Sequence, residues 1–466
     1  MMRRAAKVGL LPFYLALYDS ALPEARRAGE RFVRQITDEL GRLGLEVQPA
    51  PLCRLEAEFA AAVRGFEEAG VDAILTLHVA YSPSLESAPV LARTPLPIIV
   101  LDTTPAYAFG PDQSPEAIME NHGIHGVQDL CNLLLRLKKP FRVEAGHWEH
   151  SDVLPRVVRW ANASSLVSAL RRARVGRIGQ PFRGMGDFAV PPERLRATIG
   201  VETVPCEPET IRERLCEITE EEVDAEVAGD LTACETEGLA LGAHREAVRA
   251  GLAVRRWIES EKLSAFTVNF LDVDRASGLP TVPFLEASKA MARGIGYAGE
   301  GDVLTAALVG ALATRYPETT FTEMFCPDWA GNRIFLSHMG EVNLNLVAGK
   351  PKLVARPFPW TDVGDAVIAA GRLKAGQALW VDLVPGPDES YTLITALVEV
   401  VEPEGQDRFE DSVRGWIRPA GEIGAFLQRY SELGGTHHAA LVYTDSSGID
   451  EIAAFGALMG WKVVSL

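Results

Sequence analysis

Short apolar runs alternate with amphipathic stretches of helical period through the first third of this chain, and few folds accept that alternation. Val71–Val79 and Leu96–Leu101 are rich in Val, Ile and Leu. A strand made from either must be buried on both sides, as in a parallel sheet. Lys7–Leu11, Leu45–Val47 and Phe141–Ala145 are shorter strand candidates. Between them, Glu24–Leu43, Arg54–Ala69 and His125–Leu137 carry apolar residues at helical spacing; in the first, Phe32, Val33, Ile36 and Leu40 share a face. The pattern predicts a parallel sheet with helices on both faces, ending near Arg174. Arg3 and Arg4 before the apolar run Val8–Leu17 loosely imitate a secretion signal, but Pro12 interrupts the run and a first strand explains it better.

A second α/β unit follows, with strands expected at Val175–Ile178, Val201–Val204 and Ser264–Leu271. Helices are expected within Thr219–Glu237, Leu239–Glu261 and Phe284–Gly294. From about Glu323 long helical patterns give way to short strands between Gly and Pro turns: Glu341–Val347, Lys352–Pro357, Ala366–Leu373, Ala378–Leu383 and Tyr391–Val401. That texture is typical of an antiparallel barrel or sandwich. A last helix, Gly448–Met459, and a strand, Lys462–Ser465, follow. The expected fold is two Rossmann-like parallel-sheet α/β domains, residues 1–174 and 175–322, then a C-terminal antiparallel β-barrel-like domain, residues 323–466.

Charge narrows the function classes. The 466 residues carry a formal charge of −17, which argues against a nucleic-acid partner, whose binding rests on phosphate neutralisation, and against an anionic membrane surface. No apolar run reaches the roughly 18 residues a membrane span needs. Six cysteines form no CxxC pair and read as reduced thiols, so a cytoplasmic protein is expected. Gly294–Gly299 fits GxGxxG by letter count but follows a helix instead of a strand, and Gly179–Gly186 lacks a phosphate-binding lysine. Neither a Gly-x-Ser-x-Gly elbow nor an HExxH zinc motif is present.

Histidines and two glutamates carry more. Most of the nine histidines sit beside glycine turns: His122 and His125, His147 and His150, His338, and the pair His437-His438 behind Gly434-Gly435. Glu300 lies between Gly299 and Gly301, where a ligand can approach the backbone closely. Asp302 suits the N-cap of a helix over Val303–Ala313, which leaves Glu300 free for another task. Glu323 interrupts an apolar, strand-like run, where a charge is costly unless paired or metal-bound. Two carboxylates with imidazoles suit a divalent first-row metal such as Mn²⁺, Co²⁺ or Zn²⁺.

Taken together, Gly296–Asp302, Phe321–Met324, Ser337–Glu341 and Gly434–His438 resemble segments of the L-fucose/L-arabinose isomerase family of aldose–ketose isomerases. The Glu, Glu, His, His order is nearer to the L-arabinose isomerases. The resemblance implies that Glu300 and Glu323 both ligate the metal and act as acid and base, and that His338 and His438 are the remaining ligands. It implies substrate contacts from His125, Phe270 and His437, and Mn²⁺ or another divalent ion such as Co²⁺ or Mg²⁺ as cofactor. It also implies a small-molecule sugar as partner and a hexamer or tetramer in which His125 completes a neighbour's site. L-arabinose/L-ribulose-like and L-fucose/L-fuculose-like pairs both remain open, since Leu11–Leu15 stands where arabinose isomerases carry a Gln/His loop. A non-catalytic sugar-binding protein and a metal-dependent lyase or hydrolase are the rival readings.

Overall fold

A computed structural model describes residues 4–466; Met1–Arg3, including one arginine of the N-terminal pair, lie outside the described residues. Chain contacts divide it into two compact units, Arg4–Ser168 and Ala169–Leu466.

The first unit holds β1 (Lys7–Phe13), β2 (Glu46–Pro49), β3 (Ala73–His78), β4 (Ile98–Asp102) and β5 (Phe141–Ala145). All four pairings are parallel, in the order β2-β1-β3-β4-β5. β3 is buried at every position, the polar Thr76 and His78 included. One face is covered by helices Pro23–Arg42 and Val153–Arg171, the other by Glu56–Glu68 and Ile124–Arg136. Helix Val153–Arg171 escapes sequence reading because it is apolar around much of its circumference and carries Pro155. That proline sits in the first turn, where its missing N–H removes no intrahelical bond.

The second unit opens with β6 (Arg174–Ile178), β7 (Glu202–Pro205), β8 (Ala265–Val268) and β9 (Gly296–Gly299), a parallel sheet in the order β7-β6-β8-β9. It continues through β10 (Thr319–Asp328), β11 (Arg333–Ser337), β12 (Lys352–Arg356), β13 (Ala366–Arg372), β14 (Gly376–Pro385), β15 (Tyr391–Val400), β16 (Val413–Pro419), β17 (His438–Tyr443) and β18 (Lys462–Ser465). Six of these close a ring, β16-β11-β10-β17-β14-β15, with β15 pairing back to β16. Every pairing in the ring is antiparallel, so the expected barrel is present and its strands have no free edge. β13 and β18 attach to it in parallel, to β16 and β15. The barrel core holds Trp380, Ile394, Leu336, Ile417 and Leu441.

Helix Val303–Arg315 joins sheet and barrel. Residues 303–313 are all buried, because the helix packs on β8 and β9 and also on β10 and β17. A helix apolar all round fits only such a place. Its approach to the sheet needs glycine: a Cβ on Gly296 would lie 2.3 Å from the Ala306 carbonyl oxygen, and one on Gly310 2.8 Å from that of Ser264.

Two expectations need correction. Glu341–Val347 is not a strand but a loop with a 3₁₀ turn at Leu344–Leu346. Asn343 determines this: its Oδ1 accepts from the Asn345 N–H, and its Nδ2 donates to the carbonyls of Pro317 and Thr319, which ties the backbone locally instead of to a ladder. The segment before the last helix is also not all β. Helix Ile423–Glu432 lies there, with Ile423, Phe426 and Tyr430 on its buried face. Among the described residues no helix is long and apolar enough to cross a membrane.

Candidate metal centre

Glu300, Glu323, His338 and His438 converge: each offers one ligand atom, and these atoms lie within 4.8 Å of one another, all four side chains buried. Strand register does much of this. Glu323 on β10 is paired on one side with Ser337 of β11, next to His338, and on the other with His438 of β17. Three ligands thus come from one rim of the barrel, fixed by the hydrogen-bond ladder. A bulge follows Glu323 on β10, between Met324 and Cys326.

Glu300 arrives from the parallel sheet, in the tight turn after β9 where the Asp302 N–H donates to the Gly299 carbonyl. It has φ of +54°, a left-handed conformation that costs a non-glycine residue about 1–2 kcal/mol. Such strain persists where the surroundings over-determine it. Here the turn directs the carboxylate to both imidazoles, with Glu300 Oε2 3.1 Å from His438 Nε2 and 3.6 Å from His338 Nε2. Glu323 Oε1 lies 3.0 Å and 3.3 Å from the same two nitrogens.

Each imidazole is held from behind. His338 Nδ1 lies 2.6 Å from Glu341 Oε2, whose other oxygen accepts from the Tyr297 hydroxyl at 2.7 Å. His438 Nδ1 lies 2.9 Å from Asp302 Oδ2, while Asp302 Oδ1 accepts from the Thr305 N–H and caps the buried helix. Backing carboxylates of this kind turn the opposite nitrogen, Nε2, toward a metal. Phe321 lies edge-on to both rings, at 4.8 Å and 4.9 Å.

The electrostatics are those of four mutually attracting groups. Burial alone would raise both glutamates, but the two imidazoles outweigh it, holding Glu300 well below the usual carboxylate range and Glu323 at about 2. Burial alone would lower both histidines. Glu341, Glu300 and Glu323 more than reverse this for His338, and Asp302, Glu300 and Glu323 for His438, so both stand well above an ordinary imidazole. Glu300 Oε2 and His438 Nε2 are nevertheless buried without completing a hydrogen bond. Two orphaned donor atoms facing each other in an oxygen-and-nitrogen donor set fit a divalent cation.

The other expected site residues fall differently. His437 is half-buried beside His438, ring centroids 4.3 Å apart, with Nδ1 2.6 Å from Asp187 Oδ2. Phe270 opens a 3₁₀ turn after β8. It packs against Phe182, whose N–H donates to the Glu300 carbonyl. His125 belongs to the first unit, exposed in the first turn of helix Ile124–Arg136.

Sequence reading passes over Glu341, Asp187 and Asp382, and sees Asp302 only as a cap. Asp382 carries one usable signal, a charge inside the apolar run 378–384. Asp382 lies on β14 and accepts from the Thr436 N–H and the Tyr430 hydroxyl, pinning the turn that leads into His438. Burial pushes its carboxyl up to about 7.

Comparison with known proteins points the same way. A family model described as the L-arabinose isomerase central domain matches residues 197–315, and one described as the L-arabinose isomerase C-terminal domain matches residues 318–462. The L-arabinose isomerase of Erwinia tasmaniensis is 25% identical over 468 residues, covering 95% of this chain and 90% of the relative. That of Herpetosiphon aurantiacus is 25% identical over 361 residues (74% of this chain, 70% of the relative). That of Acidothermus cellulolyticus is 26% identical over 360 residues, again 74% and 70%.

Proposed function

The chain belongs to the L-arabinose isomerase family of aldose–ketose isomerases, and from that premise we propose that it is a metal-dependent isomerase of an L-arabinose-like aldose. The observation that carries the metal dependence is the buried convergence of Glu300, Glu323, His338 and His438. These four residues would hold the ion, with Mn²⁺ the proposed occupant and Co²⁺ or Mg²⁺ as substitutes. A bound divalent ion supplies a Lewis acid that polarises the sugar carbonyl and stabilises charge on its oxygen. Glu300 and Glu323 are held ionised, the state a base requires, and serve as the pair that removes a proton from one of C1 and C2 and returns it to the other. Glu341 and Asp302 hold the two imidazoles in place.

The test is an aldose panel, L-arabinose, L-fucose and D-galactose, with the protein as purified, after chelation by EDTA, and after Mn²⁺, Co²⁺ or Mg²⁺ is added back. Formation of L-ribulose from L-arabinose, lost on chelation and regained with Mn²⁺, is expected. Ketose formation unaffected by exhaustive chelation refutes the metal dependence.

The family premise extends to assembly. In this reading the protein is a cytoplasmic hexamer or tetramer, the divisions near 174 and 322 separate its domains, and His125 enters a neighbouring subunit's site. Subunits carrying His125→Ala and subunits carrying Glu323→Gln should each be impaired alone and regain activity when mixed, because hybrid interfaces restore an intact site. Verified hybrids without recovery rule out the shared site.

A further inference from the structure

The Gly-rich stretch Gly179–Gly186 contributes no donor to the metal cluster, yet the segment from Gln180 to Phe188 is tied to the centre at several points. The Phe182 N–H donates to the Glu300 carbonyl at 2.9 Å. Asn269 Nδ2 donates to the Gln180 carbonyl at 2.8 Å. Phe188 is buried and stacks on His438 with centroids 4.6 Å apart and planes 7° from parallel. Asp187, between these contacts, takes His437 at two points with one oxygen: Oδ2 accepts from the His437 backbone N–H at 3.0 Å and lies 2.6 Å from Nδ1.

A two-point grip on backbone and ring leaves the His437 side chain little freedom. It also selects a tautomer. An ionised carboxylate only accepts hydrogen bonds, so the imidazole nitrogen facing it must carry the proton, and the opposite nitrogen of a neutral ring is then an acceptor. An aspartate carboxyl is ionised at neutral pH, so the acceptor-only form is the one present there. The pair is partly open, with side-chain exposures of 37% for His437 and 34% for Asp187; a solute can therefore reach it, which a purely internal staple would not require.

We propose that Asp187 is a positioning residue for substrate: it locks His437 in the Nδ1–H form, so that Nε2 accepts a hydrogen bond from a sugar hydroxyl beside the cation site. This rests on the isomerase reading and on the substrate contact from His437 that the family resemblance implies, and it adds the residue that fixes where the ring carries its proton. Asp187→Asn keeps shape and one acceptor but adds an N–H₂ that can face Nδ1, so both tautomers become accessible. Asp187→Glu keeps the acceptor-only chemistry.

The experiment has two readouts. In the protein labelled with ¹⁵N-histidine at mildly alkaline pH, the His437 resonances, assigned by His437→Gln, should show Nδ1–H in the wild type and a mixture in Asp187→Asn. In steady-state kinetics with Mn²⁺ and L-arabinose, Asp187→Asn should raise KM about tenfold, the scale of one misdirected hydrogen bond. Its kcat and Mn²⁺ affinity should stay near wild type, and Asp187→Glu should recover part of the KM. An Nε2–H ring in the wild type overturns the proposal even if the variants do not fold. So does an unchanged KM in a folded Asp187→Asn enzyme. A wild-type enzyme that turns over no aldose overturns the isomerase reading instead, and the histidine spectrum still decides the tautomer.

Discussion

Glu323→Gln should lower kcat/KM for aldose isomerisation by at least ~10²-fold, the lower end for general acid–base catalysis, with weakened metal binding adding to the loss. The side chain keeps its volume and its place on β10, so circular dichroism and the melting temperature should show a folded protein. What disappears is the charge. Glu323 Oε1 lies 3.0 Å and 3.3 Å from the Nε2 atoms of His438 and His338, and an amide there can neither take a proton from carbon nor balance a cation. Mn²⁺ titration by calorimetry separates the two contributions. Near-normal turnover in the folded variant refutes the role assigned to Glu323.

The second large effect is on stability. Without a cation, the two imidazolium groups hold the two carboxylates. The histidines have folded-state pKa values raised above the ordinary 6.5, so their contribution is fully present below pH 6.5 and is lost as pH rises through the raised values. The glutamates are depressed below the ordinary 4.5, so theirs is present above that value and fades only in acid. The metal-free protein should therefore be most stable between weakly acid and neutral pH, and its melting temperature should fall on the alkaline side as the carboxylates lose their partners. A divalent ion displaces the protons, about two for each ion bound if both imidazoles are charged. The rise in melting temperature on adding Mn²⁺ should accordingly grow with pH, and proton release into weak buffer should accompany binding. A metal-induced shift that is flat from pH 6 to pH 9 contradicts this account of the cluster.

Much of the fold is legible wherever a strand or helix has to satisfy only one periodicity. β3 and β4 are rich in Ile, Leu and Val because both faces of a parallel sheet are covered, and the amphipathic helices over them announce themselves by spacing. Legibility fails where a segment serves two neighbours at once. β11, β16 and β17 lie inside a closed ring in which each also pairs with a strand distant in the sequence, so local pattern alone does not distinguish them. Val153–Arg171 lacks a clean polar face, and Glu341–Val347 looks like a strand until Asn343 is seen to bind three backbone groups. The candidate site divides the same way. Its four central donors stand out because charge and imidazole beside glycine are rare locally. Asp187, Glu341 and Asp302 act through side chains that only folding brings near, and nothing in their own surroundings marks which histidine each will hold.

The order of the donors along the chain also has a consequence for how the centre comes into being. β10 waits for β17, since Glu323 and His438 are partners in one ladder but are separated by six intervening strands in the sequence, β11 to β16. On the ribosome, the glutamates and His338 emerge long before His438. Until the last donor and its strand are inside the ring, the nascent chain offers only a partial set on an unclosed sheet. The complete four-donor set exists only once β17 has joined β10. A cation held by all four donors would then be taken up by a polypeptide already committed to its topology.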